Sequence, residues 1–357
     1  MANQEQEHNH KRRVRYQGTH PKSYQEKYKE LQPDKYADTI EKVIQKGSTP
    51  AGMHISICVP EILDFLQIQP GQTGLDATLG YGGHTLEMLK CLASKGHLYA
   101  LDVDTIELAK TRERLEQLGY GADILTIRQM NFAQIDQIAK EVGPFDFVLA
   151  DLGVSSMQID NPDRGFSYKT EGPLDLRLDQ NHGETAAERL KQMTQEELQG
   201  MLTENADEPY AQEISMAVML ALKTGTKIET TKQLQQIIEA TLATVSIDKT
   251  ALVTDRQEVI KKSCQRTFQA LRIDVNSEFE VLYQFLDKLP ETLASGGRVA
   301  ILTFHSGEDR LVKKSFQRML REGIYREIST EVIRPSAQEC NRNSRARSTK
   351  MRWAIKA

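Results

Sequence analysis

The stretch Leu75-Asp76-Ala77-Thr78-Leu79-Gly80-Tyr81-Gly82-Gly83-His84-Thr85 decides the fold. An apolar, β-prone run leads into it, three glycines mark a bend, and Leu86, Met88, Leu89 and Leu92 follow at helical spacing. Strand, glycine turn and helix in that order open a ligand-binding α/β unit. Glycine at such a turn lets the backbone approach a ligand closely, because no Cβ intervenes. The helix N-terminus beyond it offers free N–H groups to electron-rich ligand atoms. The spacing, Gly80-x-Gly82-Gly83, is not the dinucleotide G-x-G-x-x-G.

A second anchor lies about 20 residues on, where an α/β nucleotide site places its ribose-binding acid. Gly96-His97-Leu98-Tyr99-Ala100-Leu101-Asp102 reads as an apolar strand ending in Asp102. A carboxylate there can accept both ribose hydroxyls. The turn and Asp102 together suggest a nucleoside cofactor held without a demanding pyrophosphate grip. That favours S-adenosylmethionine over NAD.

The 357 residues suffice for a sizeable core and for two or three domains of ordinary size, and 39% hydrophobic with 27% charged residues is a globular composition. No apolar run approaches the roughly 20 residues a bilayer span needs. The N-terminus is polar and lacks an apolar signal core, so the expected location is cytoplasmic, with no membrane partner. Cys58, Cys91, Cys264 and Cys340 are scattered without a C-x-x-C, which predicts reduced packing cysteines and no metal site. The net charge of -4 disfavours nucleic acid for the chain as a whole. Its distribution does not. Arg334, Arg342, Arg345, Arg347, Lys350, Arg352 and Lys356 face one acid, Glu339, and Lys11-Arg12-Arg13-Val14-Arg15 forms a second basic cluster. Local basic patches on an acidic chain still bind phosphate backbones.

In chain order, residues 1–52 read as a polar, partly disordered extension with short helices at 24–31 and 36–45. Residues 53–160 read as the first part of an α/β core. Its strands begin at Leu75, His97, Ile124 and Phe145, and the fourth ends in Asp151. Ligands sit at the carboxyl ends of such strands, which puts Asp151, Ser155, Ser156 and Gln158 on the active edge. Residues 161–265 read as a loop followed by a helical insertion, with Thr194-x-x-Glu197 as a capping box. Residues 266–357 resume the core. One long amphipathic helix is expected through Phe268, Leu271, Val275, Phe279, Leu282, Phe285 and Leu289, then a strand ending at His305 and a basic C-terminal segment.

HISICVPEIL (54–63), LDATLGYGGHT (75–85), ALDVD (100–104), DLGVSSMQID (151–160), RGFSY (164–168), GPLDLRLD (172–179), TFQALRIDVNSE (267–278), GGRVAILTFHSGEDR (296–310) and RARSTKMR (345–352) recur together in one family. By them the chain resembles the bacterial 16S ribosomal RNA cytosine-N4 methyltransferases, the MraW or RsmH type. The resemblance implies a class I S-adenosylmethionine-dependent methyltransferase, with a Rossmann-like, mostly parallel sheet and an inserted helical domain. It implies a cofactor site of Gly82, Gly83, His84, Asp102, Phe132, Asp151 and Gln158, with Phe132 beside the adenine. The ring of His84 is read as a helix cap. The implied partner is 16S rRNA of the small ribosomal subunit. Gly307 stands where the family usually has leucine. Oligomeric state stays open between monomer and homodimer.

The expected chemistry is methyl transfer to the exocyclic N4 of a cytosine. That amine is a poor nucleophile, so the site must hold it in line with the methyl and accept its N–H groups. Asp151 is the first acceptor, with Ser155 and Ser156 as further ones. DLGVSS offers no aromatic, so Phe166 or Tyr168 is expected to stack on the base. His305, Arg345, Arg347 and Arg352 are candidate RNA contacts. Asp175 and Arg177 are read as an internal ion pair. The alternatives are a paralogue acting on another RNA and a non-catalytic cofactor-binding RNA-binding or assembly protein.

Overall fold

A computed structural model describes residues 56–246 and 255–357. The extension read over residues 1–52, with its short helices and basic cluster, lies outside the described residues.

Seven strands form one sheet: β1 (Thr73–Asp76), β2 (His97–Asp102), β3 (Leu125–Gln129), β4 (Phe145–Asp151), β5 (Leu293–Thr303), β6 (Tyr325–Ile328) and β7 (Lys350–Lys356). Their order is β3-β2-β1-β4-β5-β7-β6. The first five are parallel, and β7 runs antiparallel between β5 and β6. This is the expected Rossmann-like, mostly parallel sheet. The order reverses between β1 and β4, and in a doubly wound sheet the crevice for a ligand opens there.

The helices are α1 (Val59–Leu66), α2 (Gly83–Leu92), α3 (Thr105–Gln117), α4 (Ile135–Val142), α5 (Ser156–Asp160), α6 (Ala186–Gln192), α7 (Gln195–Ala206), α8 (Ala211–Lys223), α9 (Thr231–Thr244), α10 (Arg256–Val275), α11 (Glu278–Thr292), α12 (Ser306–Arg321) and α13 (Ala337–Arg342). Successive residues of β4 point to opposite faces. Phe147 and Leu149 pack with Ile62, Met88, Leu89 and Leu115 of α1–α3. Val148 and Ala150 pack with Ile138, Phe285, Leu289 and Phe316 of α4, α11 and α12. Both faces are buried, which is why the strand reads as one apolar run rather than an alternation.

A third core joins α6–α10 through Leu190, Leu202, Ile214, Leu234, Ile238, Phe268 and Leu271. The capping box at Thr194 and Glu197 is present. Helix α10 crosses residue 265, and its buried face belongs to this insertion. The single long helix expected through Leu289 is two helices. Asn276 ends α10, and Ser277 takes a left-handed φ of 48° ahead of α11. The apolar spacing runs on across the break, so it carried no sign of it. The break is fastened from outside: Asn276 Nδ2 donates to the Leu176 carbonyl (2.8 Å) and its Oδ1 accepts from the Leu178 N–H (2.7 Å). That lets α10 face the insertion core while α11 faces the sheet.

Candidate functional site

A cavity of about 1290 Å³ opens at the carboxyl ends of β1, β2 and β4. Gly82, Gly83, His84, Asp102, Phe132, Asp151, Ser155, Ser156, Gln158, Phe166, Tyr168, His305 and Arg345 all line it, whereas Arg347 lies outside and exposed. The fold thus gathers into one enclosure residues drawn from the glycine turn near the start of the core and from the basic segment near its end.

The glycine turn is shaped from behind. Gly82 caps α2 with φ 69°, and a Cβ there would lie 2.8 Å from Thr111 Cγ2. A Cβ at Gly83 would run into Ser56 Oγ. At Gly82 the left-handed backbone and the packing behind the turn both call for glycine, whereas at Gly83 the near atom is the movable Ser56 hydroxyl, which also lines the cavity. Thr111 Oγ1 donates to the Gly80 carbonyl at 2.7 Å and pins the bend to α3.

At the tip of β2 each carboxyl oxygen holds one backbone donor. Asp102 Oδ2 accepts from the Gly80 N–H (2.7 Å) and Oδ1 from the Asp104 N–H (2.8 Å). Burial pushes the Asp102 carboxyl up to about 6, against the pull of those two donors. Asp104, 1% exposed, caps α3 through Oδ1. Its Oδ2 accepts from Gln158 Nε2 (2.8 Å) and Arg164 Nη1 (2.7 Å). Gln158 Oε1 also accepts from the Ser155 N–H (2.8 Å), and Ser155 Oγ from the Gln158 N–H (3.2 Å). Ser155 and Gln158 thus spend these groups on a capping box and on Asp104. Sequence reasoning missed Asp104 and Arg164. Asp104 carried the N-cap signal of an acid before an apolar helical pattern. Arg164 carried none, because its partner is 60 residues away.

The tip of β4 is open. The Asp151 N–H donates to Thr78 Oγ1 (2.7 Å), and Asp151 Oδ2 lies 3.5 Å from His84 Nδ1. Asp151 Oδ1 is buried with no hydrogen-bond partner among the described residues. Burial pushes this carboxyl up to about 6; the His84 ring opposes the shift, and the Asp76 and Glu308 charges add to it. His84 Nε2 lies 2.9 Å from the Ile57 carbonyl. The ring of His84, read from sequence as a helix cap, instead joins the β4 tip to the segment before α1.

The far wall is built from aromatic and charged side chains. The Phe132 ring meets Phe285 edge-on at 5.2 Å, so one side is core and the other lines the cavity. Phe166, expected to stack on a base, is 8% exposed in the insertion core, with the Arg164 guanidinium 5.7 Å from its ring. Tyr168 is half-buried against Phe268 at 5.7 Å. His305 Nε2 lies 3.1 Å from Glu308 Oε1, and Glu308 Oε2 accepts from the Phe304 N–H (2.7 Å). Glu278 is near enough to His305 and Glu308 to share an ion with them, yet Arg272 holds it through two bonds of 2.8 and 2.9 Å. At Gly307, the family's leucine position, a Cβ would sit 2.5 Å from the Phe279 ring, so that ring fills the space.

The basic residues divide. Arg345 Nη2 donates to Asp160 Oδ1 at 2.9 Å. Arg352, expected to face RNA, is 6% exposed and donates to Asp309 (2.6 Å), which also holds Lys350 (2.8 Å). The alternation of β7 turns Arg352 inward, which a count of charges does not register. Asp175 and Arg177 form the expected ion pair, with bonds of 2.7 and 2.9 Å. Among the described residues no helix is long and apolar enough to cross a membrane.

Residues 51–357 match the family model described as the MraW methylase family. Ribosomal RNA small subunit methyltransferase H 1 of Lachnoclostridium phytofermentans is 71% identical over 348 residues, 98% of this chain and 93% of that protein. Ribosomal RNA small subunit methyltransferase H 2 of Alkaliphilus metalliredigens is 72% identical over 346 residues, 97% of each. The Koribacter versatilis protein named Ribosomal RNA small subunit methyltransferase H is 39% identical over 309 residues, covering 85% of this chain and 94% of that one. The match spans the glycine turn, both strand tips and the insertion, and the chain belongs to the MraW methylase family.

Proposed function

We propose that the protein is an S-adenosylmethionine-dependent methyltransferase of small-subunit ribosomal RNA, and that it methylates the exocyclic N4 of a cytosine in 16S rRNA. The relatives' names support the substrate class. The observation that carries the chemistry is Asp151, which lines the cavity and whose buried Oδ1 has no donor among the described residues.

The residues present fit the cofactor. Asp102 uses one lone pair of each oxygen on backbone N–H groups, and a carboxylate has about four acceptor sites, so room remains for two ribose hydroxyls. Phe132 offers a ring face beyond the end of β3 for the adenine. Bound S-adenosylmethionine supplies an electrophilic methyl on a sulfonium. Asp151 accepts an N–H of the amine and fixes its lone pair on the line of attack. As the nitrogen becomes cationic, its N–H bond breaks and an O–H bond forms at the Asp151 carboxylate. A target base inside a helix would have to be turned out to reach this depth. Tyr168, the aromatic with an exposed part on the far wall, is the better candidate to stack on it than Phe166.

Nucleoside mass spectrometry of 16S rRNA incubated with protein and cofactor tests this reading. We expect N4-methylcytidine, and a loss of roughly 10²- to 10⁴-fold in rate for Asp151→Ala. Absence of cofactor binding at millimolar concentration removes the enzyme reading. Binding without N4-methylcytidine removes the substrate.

A further inference from the structure

Resting on the methyltransferase reading, we propose that Gln269 holds the Watson–Crick edge of the target cytosine: its amide oxygen accepts the second N–H of the amine, and its amide nitrogen donates to ring N3. Helix α10 turns one stripe toward the cavity, on which Gln265, Phe268, Gln269 and Arg272 stand three or four residues apart. Phe268 is 4% exposed and packs against the Tyr168 ring at 5.7 Å. Arg272 spends its guanidinium on Glu278, with bonds of 2.8 and 2.9 Å. Gln269, between them, is half-buried, and its amide has no hydrogen-bond partner among the described residues. Neither amide atom is sealed from solvent, in contrast to Asp151 Oδ1.

The stripe passes close to the β4 tip. The Glu308 charge acts on both Arg272 and Asp151, and a Cβ at Gly153, two residues beyond Asp151, would lie 4.0 Å from Glu308 Oε1. Gln269 stands about one helical turn, ~5.4 Å, from Arg272 toward the Tyr168 side. The free amide is thus placed between the ring that stacks on the base and the carboxylate that takes its amine. Its chemistry matches the edge: cytosine presents an amine N–H beside the N3 acceptor, and a primary amide presents a carbonyl beside an N–H, so two parallel bonds form. The neighbouring amides are committed. Gln158 is tied at both ends to Ser155 and Asp104, and Asn276 at both ends to the loop at Leu176–Leu178. With one N–H of the amine on Asp151 and the other on Gln269, the base cannot turn in its plane. Gln269 itself gains and loses no proton. Uracil would turn its O4 on the Asp151 carboxylate, acceptor against acceptor, so Asp151 rejects it while Gln269 sets the register of the base.

The test is single-turnover transfer by wild type and Gln269→Met to two RNAs, one with cytidine and one with 3-deazacytidine at the methylated position, with cofactor affinity by calorimetry. Methionine keeps the length and helix propensity of glutamine and removes both polar atoms. We expect Gln269→Met to bind cofactor within about threefold of wild type and to slow transfer to cytidine by about 10- to 100-fold. The deaza base carries a C–H in place of N3, so on it the gap between wild type and variant should close to within about fivefold. Any change in the amine's own reactivity is common to both proteins and cancels. Gln269→Ala carries the same comparison if the methionine variant does not fold. An equal gap on the two RNAs overturns the proposal, because the amide then does not meet N3. A loss that lies in cofactor binding overturns it too. A wild type that binds cofactor and yields no N4-methylcytidine strikes the underlying substrate reading instead.

Discussion

The tips of β2 and β4 carry the same residue type at the same edge of one sheet, and burial pushes both carboxyls up to about 6. They are finished differently. Asp102 has a backbone donor on each oxygen, and Asp104 behind it is filled by α3, Gln158 and Arg164. Asp151 has His84 on one oxygen and, among the described residues, nothing on the other. Buried polar groups are almost always paired, so a carboxylate oxygen left bare marks where a ligand completes the bonding. The β2 tip is held in shape by donors on both oxygens and keeps spare lone pairs, whereas the β4 tip has an oxygen with no donor at all among the described residues.

The largest expected effect breaks the cluster around Asp104, behind the β2 tip. Arg164→Ala strands a carboxylate that is 2% exposed, and removing one partner of a buried pair costs about 3–5 kcal/mol. Urea unfolding should show that loss; a change below about 1 kcal/mol would mean that Gln158 and the α3 N–H groups suffice for Asp104.

A smaller effect comes from Asp102→Asn. The amide turns an N–H toward either Gly80 or Asp104 and costs an acceptor, so cofactor affinity should fall roughly 10- to 100-fold in calorimetry. Transfer at saturating cofactor should fall much less, which is the reverse of an Asp151 variant.

The smallest effect sharpens the open tip. The folded-state value for Asp151 lies above its ordinary 3.8. Between about pH 4 and about pH 6 the folded chain keeps a proton that the unfolded chain has lost. This contribution is present at the acid end and disappears as pH rises through about 6. Asp151→Asn should therefore gain on wild type by about 1–2 kcal/mol over that window in unfolding free energy. A parallel pair of curves would mean that the carboxyl is not raised.

Much of this was legible in the chain. Apolar runs ending in acids gave the strand tips, since a strand buried on both faces has to read that way, and the glycines gave the turn. The residues that complete the site were not legible. Arg164 meets Asp104 across 60 positions, and His84 meets Asp151 across a similar gap, with no local pattern to announce either. The Ser277 break hides inside unbroken helical spacing because Asn276 is held by the loop at Leu176–Leu178. Phe166 and Arg352 look available in sequence, and packing turns both inward.

Through Asp104 a single carboxylate clasps the helix behind the candidate ribose acid and, by way of Arg164, the loop that leads into the insertion. A ligand that tightens one end of that clasp changes the free energy of the other. Such coupling is reciprocal: by whatever factor the methyl donor strengthens the grip on RNA, RNA strengthens the grip on the donor.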